Sequence, residues 1–259
     1  MNSSLKPISE LRSETSKHSQ QSPTLNLACA IIAAGNSSRL GQAKQLVVQN
    51  GQSLLNKAAM LATAISRNVS CVLGFRAEVF CKEIETLNVK PILNQNWQQG
   101  MGSSIATCVN SLSDDTNGVM ILLCDQWALT PVDLQALTTQ WQKTPDKIVA
   151  ANYYDHKHKK MVMGAPAIFP RSFFSELTEL RETGARKLLM RHESDVEKVK
   201  IDNAAFDLDI PADFKHFNLV NKKLNTAKNQ LSNQNKSLQK KHYQNKPSKN
   251  NQWVIEGST

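Results

Sequence analysis

Two cations and three carboxylates are spaced along this chain in a pattern suited to polyphosphate chemistry. Arg39 and Lys44 belong to the stretch Ala33-Ala34-Gly35-Asn36-Ser37-Ser38-Arg39-Leu40-Gly41-Gln42-Ala43-Lys44, directly after the apolar run Ala28–Ile32. Small residues such as Ala33, Ala34, Gly35 and Ser37 let backbone N–H groups approach an anion closely, and a helix N-terminus at the loop's end would add partial positive charge. Arg39 and Lys44 then supply full charges for β- and γ-phosphates. The spacing is neither a P-loop nor a Gly-x-Gly-x-x-Gly dinucleotide fingerprint. The plainer alternative is a strand-to-helix turn with serine caps and solvated cations. Both cations are expected to face solvent when no phosphate is bound.

Asp125 follows the apolar run Val119–Cys124. An unpaired carboxylate buried there is costly, and Mg²⁺ would satisfy it; a capping or salt-bridged aspartate is the alternative. Asp207 and Asp209 lie two apart in Phe206-Asp207-Leu208-Asp209-Ile210. An extended backbone turns both the same way, and two like charges on one face call for a cation. Either could complete a metal site with Asp125, whereas Asp213 suits the first turn of a helix. Gly100-Met101-Gly102-Ser103-Ser104-Ile105 is expected to be a glycine loop entering a helix. Gly100, Gly102, Ser103 and Ser104 could then meet a nucleotide or its acceptor, unless the loop is only a flexible turn with a serine cap. Asp155-His156-Lys157-His158-Lys159-Lys160 is too lysine-rich for a dication and is expected to be a solvated turn.

Strand and helix signals alternate around these residues. Apolar runs at 28–32, 69–75, 90–93, 119–124 and 148–153 predict strands, and helical patterns occupy 54–65, 78–87, 103–112 and 131–141. Thr130-Pro131 opens the last of these helices. The βαβα order predicts an α/β fold, a single Rossmann-like domain with a mostly parallel, doubly wound sheet. Ligands then bind outside the carboxyl ends of the strands. The second half is mixed, with an antiparallel portion: strands at 160–163 and 165–169 around Gly164, helices at 171–180 and 185–191, an edge strand at 196–201, and a helix from Pro211.

Of the 259 residues, 27–220 carry the apolar pattern of one domain. Residues 1–26 are expected to be a disordered segment and 221–259 a basic low-complexity tail, since neither buries enough apolar surface to offset ordering. That tail holds eight lysines against Glu256, a net +7 out of the chain's +9. The domain itself is therefore not a nucleic-acid-binding body, although the tail could hold RNA or an acidic partner weakly. No run is apolar enough for a membrane span or a secretory leader. Cys29, Cys71, Cys81, Cys108 and Cys124 include no Cys-x-x-Cys pair and suit buried thiols in a reducing cytoplasm.

Ala33–Lys44 resembles the signature Ala-Ala-Gly-x-Ser-x-Arg-Met-Gly-x-x-Lys of the MobA-like nucleotidyltransferases, with Leu40 in place of Met. Asn36 and the Gly100-Met101-x-x-Ser104 pattern look closest to the molybdenum cofactor cytidylyltransferases. Asp125-Gln126-Trp127 resembles their Asp-Gln-Pro, and Asp207–Asp213 their Asp-Ile-Asp-Thr-Pro-Glu-Asp, with Trp127 for Pro and Ile210 for Thr. Gly164-Ala165-Pro166 is similar to an acceptor-side Gly-His-Pro, and Gly184-Ala185-Arg186 keeps a Gly-Ala-Arg. The resemblance covers roughly 27–217. It implies Mg²⁺-dependent transfer of CMP from CTP to the phosphate of molybdenum cofactor, a phosphorylated pterin, with pyrophosphate leaving. Gly164, Pro166 and Arg186 would then touch the acceptor, and a molybdoenzyme could receive the product. Such transfer rests on positioning and charge stabilisation and needs no protein nucleophile. GTP or another phosphorylated acceptor is one alternative, and a non-catalytic cofactor carrier docking on a molybdoenzyme is another.

Overall fold

Every residue of the first strand, β1 (Leu27–Ile32), is buried, which is why this run is apolar without alternation. Cys29 and Ile31 pack toward one face, and Ala28, Ala30 and Ile32 toward the other. The computed structural model describes residues 25–222; the expectations for 1–24 and 223–259 lie outside the described residues. After β1 come a small hairpin of β2 (Val48–Gln49) and β3 (Gln52–Ser53), then β4 (Asn68–Leu73), β5 (Lys90–Leu93), β6 (Gly118–Leu123), β7 (Ile148–Asp155), β8 (Lys160–Pro170) and β9 (Val196–Lys200).

The main sheet has seven strands in the order β5-β4-β1-β6-β8-β7-β9. All neighbours are parallel except around β8, which runs antiparallel to both β6 and β7. The two short strands expected on either side of Gly164 are one continuous strand. Its pairing with β7 jumps from Ala150↔Ala167 to Ala151↔Gly164, so Ala165 and Pro166 bulge out of the ladder.

Helices α1 (Leu54–Ile65), α2 (Ala77–Lys82), α3 (Met101–Val109), α4 (Pro131–Lys143), α5 (Phe174–Thr178) and α6 (Arg186–Arg191) connect the strands, and a last helix occupies 211–222. Helix α4 starts where expected because Thr130 and Asp133 form a reciprocal capping box, with Pro131 at the first helical position. Leu55, Leu134 and Trp141 from α1 and α4 cover one face of the sheet. Ile105, Leu177 and Leu188 from α3, α5 and α6 cover the other. The doubly wound reading therefore holds.

Three expectations need correction. No α-helix follows the Arg39–Lys44 loop: Lys44–Leu46 is a single 3-10 turn, and α1 begins only at Leu54, after the hairpin. The loop therefore gains no helix dipole. The helix expected at 78–87 ends at Lys82. The boundary expected at 220 falls inside the last helix, where Gln49 Nε2 donates to Asn221 Oδ1 at 2.9 Å. All five cysteines are free thiols. Burial pushes Cys29, Cys108 and Cys124 up to about 12, so they are neutral near pH 7. Among the described residues no helix is long and apolar enough to cross a membrane.

Candidate active site

The loop leaving β1 crosses the carboxyl end of the sheet through two left-handed residues, Ser37 (φ 54°) and Gly41 (φ 77°). Gln45 holds its shape. This side chain is 1 % exposed and donates from Nε2 to the carbonyls of Ala33 (2.9 Å) and Gly35 (2.7 Å). Ser37 Oγ accepts from the Lys44 backbone N–H at 3.3 Å and donates to Gln45 Oε1 at 3.3 Å. Sequence reasoning missed Gln45. Its signal was an amide directly after Lys44, a residue type able to bond two loop carbonyls at once.

The loop walls a cavity of about 510 Å³. Ala33, Ala34, Gly35, Ser37, Arg39 and Lys44 border it on one side, and Asp125 and Asp209 close its floor. Lys44 Nζ bonds Asp125 Oδ2 and reaches Asp209 Oδ1 at 3.4 Å. Arg39 Nη2 bonds the other oxygen of Asp209 at 3.2 Å. The site thus joins a loop after β1, a turn after β6 and a segment some 80 residues further on. Arg39 is solvent-facing as expected, but Lys44 is not, being only 20 % exposed and ion-paired. Nor is Asp125 unpaired. Burial, the largest influence on Lys44, acts to lower its pKa, but Asp125, Cys124 and Asp209 together hold it above the ordinary lysine value. Lys44 is therefore a fixed positive charge.

Asp207 and Asp209 part company despite their spacing. Leu208 between them is fully buried, so both carboxylates turn off the core. Asp209 joins Lys44 and Arg39, whereas Asp207 Oδ1 accepts from Lys157 Nζ at 3.3 Å and borders a different cavity. Burial, and then the Asp125 charge, push the Asp207 carboxyl up to about 6.

Across the cleft stand Gly100, Met101 and Ser104, with Trp97 and Gln98 from the preceding 3-10 turn. Gly100 has φ 113°, and a Cβ there would meet the Glu182 carbonyl oxygen at 2.3 Å. Gly102 and Ser103 do not border the cleft. A Cβ on Gly102 would lie 2.5 Å from the carbonyls of Arg181 and Thr183, and the Ser103 N–H donates to Arg181 at 2.8 Å. These residues clamp α3 to the 181–183 segment instead. Ser103 and Ser104 also accept from the buried Asn94 amide at 2.9 and 3.0 Å.

The expected acceptor residues sit apart. Gly164 and Pro166 are buried in the β8 bulge, and Arg186 is exposed at the start of α6. None borders the 510 Å³ cavity. Gln126 links the bulge to the site, donating from Nε2 to the carbonyls of Ala165 (2.7 Å) and Ala204 (3.0 Å). Lys57 Nζ bonds the Trp127 carbonyl and Gln49 Oε1. Together they fix the turn that carries Asp125.

Residues 29–196 match the model of the MobA-like NTP transferase domain. The chain belongs to that family. A curated relative, nicotine blue oxidoreductase of Paenarthrobacter nicotinovorans, is 28 % identical over 125 residues, covering 48 % of this chain and 60 % of the relative. The chain thus spans about three fifths of that relative's length. Rv0371c of Mycobacterium tuberculosis H37Rv, solved in complex with manganese, superposes with a TM-score of 0.61 at 18 % identity, over 74 % of this chain and 97 % of that one. Molybdopterin-guanine dinucleotide biosynthesis protein A of Archaeoglobus fulgidus gives 0.55 at 16 % identity, over 76 % and 99 %. At those identities both speak for the fold of the MobA-like domain alone.

The MobA-like cleft has the donors for a divalent cation. Asp125 Oδ1 is buried without a hydrogen-bond partner, and Asp125 and Asp209 already share one cation, Lys44. No cluster of three His, Cys, Asp or Glu residues occurs among the described residues. Two carboxylates with substrate phosphates filling the other positions is how Mg²⁺ is ordinarily held, so the residues fit.

Proposed function

We propose that this protein is a divalent-metal-dependent nucleotidyltransferase that moves CMP from CTP to the phosphate of molybdenum cofactor and releases pyrophosphate. The observation that carries the reading is the chain of charges Arg39–Asp209–Lys44–Asp125 on the floor of a nucleotide-sized cavity. Charge grows on the leaving pyrophosphate as the acceptor phosphate attacks the α-phosphorus, so fixed cations aimed at the β- and γ-phosphates stabilise the transition state more than the ground state. Lys44 is pre-oriented by two carboxylates, and Arg39 is free on its solvent side to close over the triphosphate. Mg²⁺ held by Asp125 and Asp209 would add positive charge beside the reacting phosphates. Cys124 borders the cleft but is a neutral thiol, which favours direct transfer over a covalent enzyme intermediate.

The choice of CTP rests on the Gly100-Met101-x-x-Ser104 pattern, whose Gly100, Met101 and Ser104 border the cleft. The pterin acceptor rests on the family and on the likeness to the molybdopterin-guanine dinucleotide biosynthesis protein of Archaeoglobus. The experiment is pyrophosphate release from each of the four NTPs with extracted molybdenum cofactor, with and without a chelator. Release with CTP alone, abolished by the chelator, is expected. Release without metal would remove the metal assignment. Consumption of a reduced nicotinamide with no pyrophosphate would move the reading to redox chemistry of the kind named for the Paenarthrobacter relative.

A further inference from the structure

Two cavities of nearly equal size share a wall in this molecule. The nucleotide cleft is about 510 Å³ and the second cavity about 500 Å³. The 125–127 turn and the 206–209 segment line both. Asp125, Leu208 and Asp209 border the cleft, while Trp127, Phe206 and Asp207 border the second cavity. A reaction that joins two substrates needs two neighbouring binding spaces, and here Asp125 and Asp209 stand on one side of the dividing segments and Asp207 on the other.

The second cavity differs chemically from the first. Phe206 and His216 stack with ring planes 8° apart and centroids 5.9 Å apart. His156 lies 6.5 Å beyond Phe206, and Trp127, 5 % exposed, leans on Phe206 at 5.6 Å. Flat π-surfaces of this kind gain most from another flat ring. Asp207 borders the same space, as does Tyr153, and the carboxylate offers acceptors to N–H groups on a ring's edge. The lysine that borders it, Lys157, is already paired with Asp207 (3.3 Å) and Asp213 (3.0 Å). Three carboxylates, Asp155, Asp207 and Asp213, border this cavity against that one lysine, whereas the cleft sets Arg39 and Lys44 against Asp125 and Asp209. A triphosphate therefore belongs in the cleft, and a ring with donor groups belongs here.

We propose that the second cavity is the acceptor subsite. It takes a flat nitrogen heteroaromatic ring whose N–H groups face Asp207, while the ring's phosphate-bearing arm passes the shared wall toward Asp125. This assignment rests on the transfer reading of the cleft. It also replaces Gly164, Pro166 and Arg186 as the principal acceptor contacts.

Titration calorimetry of the full chain with pterin-6-carboxylate, in the presence of a saturating non-hydrolysable CTP analogue, tests the subsite. Binding is expected to persist beside the nucleotide analogue, and His216→Ala and Phe206→Leu are each expected to weaken it about tenfold. His156→Ala changes an exposed position and is expected to leave the fold intact, and thermal melts check all three. Displacement of the pterin by the analogue, or unchanged affinity in His216→Ala and His156→Ala, overturns the proposal. Normal acceptor KM in His216→Ala, with pyrophosphate still released, sinks the subsite and leaves the transfer reading standing. No pyrophosphate from any NTP, with pterin binding still dependent on His216, sinks the transfer reading and the acceptor role together.

Discussion

Arg39 and Lys44 have the same charge and opposite structural standing, and substitution should separate them. Removing either takes away a preorganised charge, for which the expected loss is about 10²- to 10³-fold in kcat. Arg39 is 73 % exposed, so Arg39→Ala should leave the melting temperature within about 0.5 kcal/mol equivalent. Lys44→Ala instead leaves Asp125 and Asp209 facing each other without their shared cation and should destabilise the protein by about 3 kcal/mol. Equal melting curves for the two variants would contradict the ion pairs. Asp125→Asn should abolish metal-dependent turnover. For an unpaired buried carboxylate the same change would leave stability unchanged or raise it. The Lys44 contact reverses that expectation: a lowered melting temperature is now predicted, and an unchanged or raised one would count against the pair. The candidate residues themselves were legible from type and spacing. The pairing was not, because Lys44, Asp125 and Asp209 are brought together from 81 and 165 residues apart.

Elements set how those residues are held. Gly100 begins α3 at φ 113° with the Glu182 carbonyl 2.3 Å from where a Cβ would lie. Gly100→Ala should therefore cost about 1–3 kcal/mol from the backbone alone and shift Met101 and Ser104 at the cleft, raising KM for the nucleotide. An unchanged KM would show that α3 does not set that wall. The segment after β9 gives a pH prediction. Asp207 is raised to about 6 from an unfolded value near 3.8. A raised carboxyl favours folding while protonated, so its contribution is full below about pH 4 and is lost as pH rises through 6. Asp207→Asn should match the wild type in stability at pH 4 and exceed it at pH 7.5. A difference that is constant across that range would argue against the raised carboxyl. Strand and helix order was readable because apolar runs and Thr130-Pro131 act locally. The absent helix after Lys44 was not, because the hairpin at Val48–Ser53 depends on what Val47 and Leu54 pack against, including Trp127 and Leu208.

For the whole molecule, deleting 223–259 tests the charge distribution. It removes seven lysines and Glu256 but none of the hydrogen bonds described above, and it retains Asn221 and its bond to Gln49. Turnover on free substrates should change less than twofold at physiological salt, since on this reading Arg39 and Lys44 meet the phosphates and salt weakens longer-range charge effects. Any association with an acidic partner or RNA should weaken, and the difference should shrink as salt rises. A truncated chain that loses most of its activity would mean that those residues help to build the site.

Taken alone, the sequence determined what local chemistry can determine. The run Ala28–Ile32 had to be a buried strand because every position is apolar, and the small residues, cations and carboxylates at strand ends marked a candidate phosphate site by type. Gly100 and Gly102 were legible as glycines, but their purpose was not. Gly102 proved to make room for the 181–183 backbone rather than for a nucleotide. Tertiary structure decided which cation meets which carboxylate, the joining of the two strands expected around Gly164 into one antiparallel β8, and the split of Asp207 from Asp209 onto two cavities. Those outcomes depend on contacts between segments far apart in the chain, and such contacts leave no period or spacing in the sequence itself.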